Sequence, residues 1–498
     1  MRAASVLVAA GFAAPALCGQ KLVSPKELIK QIKLEDLLAG SQQLQDFADA
    51  NGGNRAFGGP GHNATVNWLY KTLKKTGYYD VSLQPFVELF SSATVSFTVG
   101  GTEYPAAYMT YSPSGNASAP LVPVANLGCD PADFPAGVSG NIALISRGTC
   151  TFAQKATNAK AAGAVGAVVY NNVEGSLAGT LGGVGDYAPT VGISQGDGQT
   201  LLLAIQAGTV EATLVVDAVT ENRTTYNVIA QTKCGDKNNV LMLGGHTDSV
   251  FEGPGINDDG SGTIGVLTVA KALTKYTTKN AVRFAFWSAE EFGLLGSYHY
   301  LKTINGTISG SAKEVAKVRA YLNFDMIASP NYVLGVYDGD GSAFNFSGPP
   351  GSGKIEKDFQ AFYEKRGLPH VPSIWSMRSD YAAFLENGIP SGGLFTGAEE
   401  LKTEEEAQLF GGTAGVALDE NYHQAGDTVD NLAEDAYLLN TESIANSVAM
   451  YANSFEGIPK ANTTLRKRDA EMARYMARFD QGHVHNHAAP CGQGTLVM

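Results

Sequence analysis

The stretch from Leu241 to Phe292 limits what this chain can fold into. It reads LMLGGHTDSVFEGPGINDDGSGTIGVLTVAKALTKYTTKNAVRFAFWSAEEF. An apolar run, Asn239 to Leu243, has the length and make-up of a buried strand; it breaks at Gly244-Gly245 and delivers His246 and Asp248. A glycine-rich loop then presents Asp258 and Asp259. The segment from Thr263 to Tyr276 has helical length and period, and Ala281 to Trp287 reads as a second apolar strand that ends in Glu290 and Glu291. Strand–helix–strand alternation predicts an α/β fold with a mixed, mostly parallel central sheet flanked by helices. Ligands of such sheets bind beyond the carboxyl ends of the strands. A third apolar strand, Arg319 to Phe324, ends in Asp325. Strand ends carrying His, Glu-Glu and Asp would therefore meet in one acidic pocket.

Such a pocket needs cations, because clustered carboxylates repel one another and take up protons unless metal neutralises them. A histidine among carboxylates suits zinc better than calcium or magnesium, which prefer oxygen-only shells. Five ligands exceed the usual set of one catalytic zinc, whereas two metals sharing a bridging carboxylate would use them all.

The ordered motifs GGHTDS, GPGINDDGSG, SAEEFGLLGS, NFDMI, RSDYAAF with GIPSGGLFTGAE, and NYHQAGDTVDN span roughly Asn239 to Asn431. In this order the chain resembles the M28 family of zinc metallopeptidases, in particular the secreted fungal leucine-aminopeptidase type. The resemblance implies a zinc-peptidase fold and two Zn2+ per chain. It implies that His246, Asp258, Glu291, Asp325 and His423 are the metal ligands, with Asp258 bridging, His246 and Asp325 completing one shell, and Glu291 and His423 the other. Glu290 matches the general base, Tyr422 a residue that stabilises the oxyanion, and Asp248 a carboxylate that orients His246. Arg378 falls where the family places a residue of the substrate pocket. Relatives often carry cysteines on both sides of the last ligand. Here those positions are Asn421 and Gly426, so a bridge bracing Tyr422 and His423 cannot form. The expectation is a softer loop and easier loss of the second metal.

Residues 1–18 have the form of a secretory signal peptide: one basic residue, Arg2, and an apolar run too short to span a membrane. Six N-x-S/T triplets, at Asn63, Asn116, Asn222, Asn305, Asn345 and Asn462, fit a glycoprotein of that route. The expected location is extracellular, with a vacuolar or lysosome-like lumen as the alternative. The composition is globular, 44% hydrophobic and 17% charged. A net charge of -13 argues against nucleic acid and anionic membrane surfaces as partners. The expected partners are peptides with a free N-terminus, acted on by a monomer.

Residues 19–90 read as the N-terminal part of the peptidase domain, with helical spacing in Leu34 to Ala48 and Asn63 to Thr76, a strand from Asp80 to Phe86, and room for a short propeptide. Residues 91–222 change to short β runs such as Thr94 to Val99. Within them, NIALISRGTCTFAQKATNAKAAGAVGAVVYNN resembles the protease-associated (PA) domain, implying a β-rich insert that serves as a lid, an interaction module or passive support. The catalytic domain resumes over residues 223–459. Residues 460–498 form a basic tail with His483, His485 and His487, disordered or removed by processing. Cys129 and Cys150 flank strands of the insert and are expected to pair; Cys234 and Cys491 are a second candidate pair. The acidic run Glu399, Glu400 and Glu404 to Glu406 reads as a solvated loop face. His62, His299 and His370 read as structural histidines without partners.

Three functions fit these residues. The first is an aminopeptidase preferring leucine or other large apolar N-terminal residues. The second is the same fold acting as a carboxypeptidase or a one-zinc glutaminyl cyclase. The third is a non-enzymatic receptor-like relative, which would be expected to lose ligands; here all five and the base are retained.

Overall fold

The computed structural model describes residues 21–461. The expected signal peptide, Asn462, Cys491 and the histidines of the tail lie outside the described residues.

The Asp236–His246 strand is central. It pairs in parallel with Asn280–Trp287 on one side and Val318–Phe324 on the other, and Val318–Phe324 pairs in parallel with Ser391–Phe395. Residues 240–246 are all buried, as a strand covered by helices on both faces must be. Short strands Gly335–Tyr337 and Val371–Ser373 complete this edge, Gly335–Tyr337 running antiparallel to Ser391–Phe395. At the other edge, Asn280–Trp287 pairs antiparallel with Glu211–Thr232, so the sheet is mixed and mostly parallel.

The Gly260–Leu273 helix lies in the core, every residue buried except Lys271. It packs between the sheet and a layer formed by Leu34–Asp49, Pro60–Lys75 and the C-terminal Glu434–Tyr451 helix. It begins three residues before the Thr263 expected from periodicity. Gly260-Ser261-Gly262 reads as a loop, but the Asp259 side chain caps the helix by accepting from the Gly262 N–H at 2.9 Å. The opposite face of the sheet is covered by an aromatic cluster in which Tyr321 and Phe384 stack at 3.6 Å and Trp287 Nε1 donates to the Tyr321 hydroxyl.

Two strands read separately from sequence are one. Tyr79–Val99 runs unbroken and pairs antiparallel with Glu211–Thr232 along its whole length. Pro85 is tolerated because its strand lies at the sheet's edge there. Both ends of the expected insert, residues 91 and 222, thus fall inside strands of a continuous ribbon. The ribbon's far half carries the β-rich insert, a sheet that includes Gly115–Pro123, Ile142–Ser146, Gly166–Tyr170 and Thr190–Ile193, with its own apolar core. Cys129 and Cys150 form a disulfide within it. Among the described residues, no helix is long and apolar enough to cross a membrane.

Candidate metal and catalytic site

The parallel strands end on one place. His246 closes its strand, Glu290 and Glu291 follow Trp287, and Asp325 follows Phe324. Asp258 arrives from the loop before the core helix and His423 from a loop after the last strand. All six side chains are buried. Asp258 faces both histidines: its Oδ1 lies 3.2 Å from His246 Nε2 and its Oδ2 3.1 Å from His423 Nε2. His423 Nε2 is also 3.1 Å from Glu291 Oε2, and His246 Nε2 is 3.7 Å from Asp325 Oδ1. Donor atoms sharing one tetrahedral zinc at ~2.0–2.1 Å would lie roughly 3.3 Å apart. These spacings therefore fit two ions with Asp258 between them. Both oxygens of Glu291 are buried, and apart from the His423 ring beside Oε2 neither has a hydrogen-bond partner among the described residues, which is costly without a cation.

The charge balance points the same way. Burial alone would push His246 down, but Glu290 and Asp325, with bonds to Asp248 and Asp258, raise it well above its ordinary value. Asp258 is also buried, yet bonds from both histidines hold it well below the usual carboxylate range. Burial, with the Asp258 charge, pushes Glu291 up to about 6 despite His423 beside it. Without metal, then, this cluster retains protons that an ion would have to displace.

Asp259 is close enough to His246 and Asp325 to be mistaken for a ligand. Its oxygens are already occupied: Oδ2 accepts the His246 N–H at 2.9 Å, and Oδ1 accepts from Gly262 and Met326. This approach requires Gly245, where a Cβ would sit 2.4 Å from Asp259 Oδ2. Asp248 meets His246 Nδ1 through its backbone carbonyl at 3.2 Å, with its carboxylate at 3.7 Å, and Oδ1 accepts the Glu290 N–H at 3.1 Å. It therefore fixes both His246 and Glu290. Ala289, Met326 and His423 adopt positive φ, so some of the chain's backbone strain lies beside this cluster.

Arg378 lines the cavity beside His246, Asp258, Glu290 and Asp325, together with Met326, Tyr337, Ile374, Tyr381 and Phe395. It does not point freely into that space. Nη1 is paired with Glu399 at 2.6 Å, and Nη2 donates to the Tyr422 hydroxyl at 3.0 Å. This corrects the reading of the acidic run as a solvated face. Glu399 anchors Arg378 and Glu400 lines the cavity, while Thr403 and Glu406 form a capping box at the start of Glu404–Phe410.

Sequence reasoning missed two supports. Arg55 is fully buried and donates to the carbonyls of Thr247, Pro254 and Gly255, holding together the loops that carry Asp248 and Asp258. Its setting, NGGNRAFGGP, looks like an ordinary surface loop. The second support stands where a disulfide was noted as absent. Asn421 Nδ2 donates to Asn431 Oδ1 at 2.7 Å, and Asn431 Nδ2 reaches Asp419 and Asp427. Asp427 in turn accepts the backbone N–H groups of Asn257 and Asp258. Burial and the Asp419 charge push Asp427 up to about 8. This clasp ties the His423 loop to the backbone of Asp258.

The three remaining histidines have partners, contrary to expectation. His62 Nε2 meets Thr247 Oγ1 at 2.9 Å and burial pushes it down to about 4. His299 stacks on Phe86, and His370 lies 3.6 Å from Glu364. Of the glycosylation candidates, Asn63, Asn116, Asn222 and Asn345 are exposed, whereas Asn305 is half-buried and donates to Asn387.

The profile of peptidase family M28 matches residues 227–448, and that of the PA domain matches residues 117–201. The chain is 58% identical over 474 residues to the probable leucine aminopeptidase 2 of Aspergillus fumigatus, a match covering 94% of this chain and 93% of that protein. It is 56% identical over 482 residues to the probable leucine aminopeptidase 2 of Aspergillus oryzae, covering 95% and 96%. Among solved structures, an aminopeptidase from Aneurinibacillus sp. strain AM-1 superposes with a TM-score of 0.64 at 28% identity, over 89% of this chain and 98% of that one. BSAP, a zinc aminopeptidase from Bacillus subtilis, gives 0.63 at 26% identity, over 87% and 98%.

Proposed function

Because the chain belongs to peptidase family M28, we propose that it is a secreted two-zinc aminopeptidase, releasing leucine or another large apolar residue from peptide N-termini. The observation that carries the metal count is the position of Asp258, with one oxygen on each of two histidines. His246 and Asp325 would hold one zinc, Glu291 and His423 the other, and Asp258 both. Bound zinc supplies Lewis acidity, acidifying water and polarising a carbonyl.

The chain's own residues do the rest. Glu290, braced through its N–H by Asp248, accepts a proton from the attacking water. It returns that proton to the leaving nitrogen as the C–N bond breaks, a service typically worth ~10²–10⁴ in rate. Tyr422 receives a hydrogen bond from Arg378, which leaves the phenol proton to be donated to the carbonyl oxygen as it gains charge. The cavity walled by Met326, Tyr337, Ile374, Tyr381 and Phe395 offers an apolar cup for the N-terminal side chain. Retention of both ligand sets favours hydrolysis over one-zinc cyclisation.

Secretion is supported by the leader-like N-terminus, the sequons and the disulfide of the insert. The test is hydrolysis of Leu-p-nitroanilide against its N-acetylated form. Cleavage of the free amine alone, abolished by chelation and restored by zinc, is expected. Equal cleavage of both forms would refute an aminopeptidase.

A further inference from the structure

A second cavity opens on the other flank of the metal ligands. It measures about 690 Å³, and its walls come from two domains. On the catalytic side stand Glu291, Phe251 and Phe292. Phe251 and Phe292 pack edge-to-face at 5.3 Å within an aromatic cluster against Ala289, the residue before Glu290. On the side of the insert stand Thr94 and Val219, from the two strands of the long ribbon, and Ala107 from the strand beyond. Val219 is 49% exposed, a large apolar side chain turned to an open cleft. The cleft is mainly apolar, with Asp217 and Glu252 on its walls besides Glu291; burial raises Glu252 above its ordinary value.

We infer that this cleft binds the part of the peptide that follows the cleaved bond, taking apolar side chains at the second and third residues of the substrate. This rests on the aminopeptidase reading. Two cavities border one ligand cluster, and the one beside His246 and Asp325 is much the smaller. An exopeptidase that seats one residue there must lead the rest of the chain away, and the cleft that borders the cluster at Glu291 is the larger space available to receive it. Its occupant is fixed by chemistry: an apolar wall rewards apolar side chains, and Asp217 and Glu252 repel the free carboxylate of a dipeptide. The insert is thus a wall of the binding site and selects for longer, apolar peptides.

The experiment compares kcat/KM for Leu-Leu-Leu-amide, Leu-Gly-Gly-amide and Leu-p-nitroanilide in the wild type and in Val219→Asp and Thr94→Asp. Both positions are exposed, so neither change disturbs a core. The wild type should prefer the trileucine amide about tenfold or more, the range that modest apolar contacts give. Each variant should lose that preference and hydrolyse Leu-Gly-Gly-amide as the wild type does. Absence of the preference in the wild type, its persistence in both variants, or parallel loss on both peptides would overturn the inference. Failure of the wild type to cleave the anilide, or equal cleavage of its acetylated form, would instead refute the aminopeptidase reading.

Discussion

Gly426→Ala should loosen the loop that carries His423, whereas a cysteine pair at the same place should hold it. A Cβ at residue 426 would sit 2.1 Å from Asn421 Oδ1, so the amide must swing away and release Asn431. Losing that bond and leaving its partner unpaired costs ~1–3 kcal/mol. In Asn421→Cys/Gly426→Cys the two Cβ atoms would lie 3.5 Å apart, inside the disulfide range of roughly 3.5–4.5 Å. Closing so short a loop contributes only ~2 kcal/mol, a magnitude that depends on the entropic account. The lost amide bond offsets ~1 kcal/mol of that. The oxidised double variant should therefore match or slightly exceed the wild type, with Gly426→Ala clearly below both. Urea unfolding of the metal-free proteins reads stability directly, and zinc release under mild chelation reads the loop. The wild type should release its zinc at a rate between the two. A Gly426→Ala protein as stable as the wild type, or an oxidised double variant below Gly426→Ala, would refute the clasp.

Zinc affinity should fall with acid. As a zinc ligand Glu291 must be the carboxylate, and in the metal-free site burial and Asp258 push that group up to about 6; protons therefore compete for Glu291 below that value, in addition to the proton that His246 holds. Calorimetric titration of the metal-free protein should show affinity dropping by up to about tenfold per pH unit below this midpoint; constant affinity between about pH 5 and 7 would contradict it. Arg55→Met should destabilise the metal-free protein by about 3 kcal/mol or more, because the carbonyls of Thr247, Pro254 and Gly255 lose a buried cationic donor. An unchanged urea midpoint would argue against that role.

Much of the site was legible because a βαβ pattern puts chemistry at strand ends. His246, Asp258, Glu290, Glu291 and Asp325 each follow a strand or precede the core helix, and apolar runs locate those elements. Tyr422 and His423 lie in a loop without periodicity, and only the resemblance reached them. Arg55 and the Asn421–Asn431 clasp act on backbone groups distant in sequence, and no local pattern encodes such partners. The role of Glu399 was hidden for a related reason. In a run of acids its solvated neighbours look identical to it, and only packing brings it onto Arg378. The unbroken Tyr79–Val99 strand was split in reading because Pro85 and Ser91-Ser92 mimic breaks that an edge strand tolerates.

The measurement that tests the central claim most directly is kcat/KM of Glu290→Gln on Leu-p-nitroanilide, with zinc counted on the same sample. Gln keeps the shape of the side chain but cannot take the proton. The account predicts a loss of about 10²–10⁴ in rate with both zincs retained. Substantial activity in the variant, or activity lost together with the metal, would contradict it.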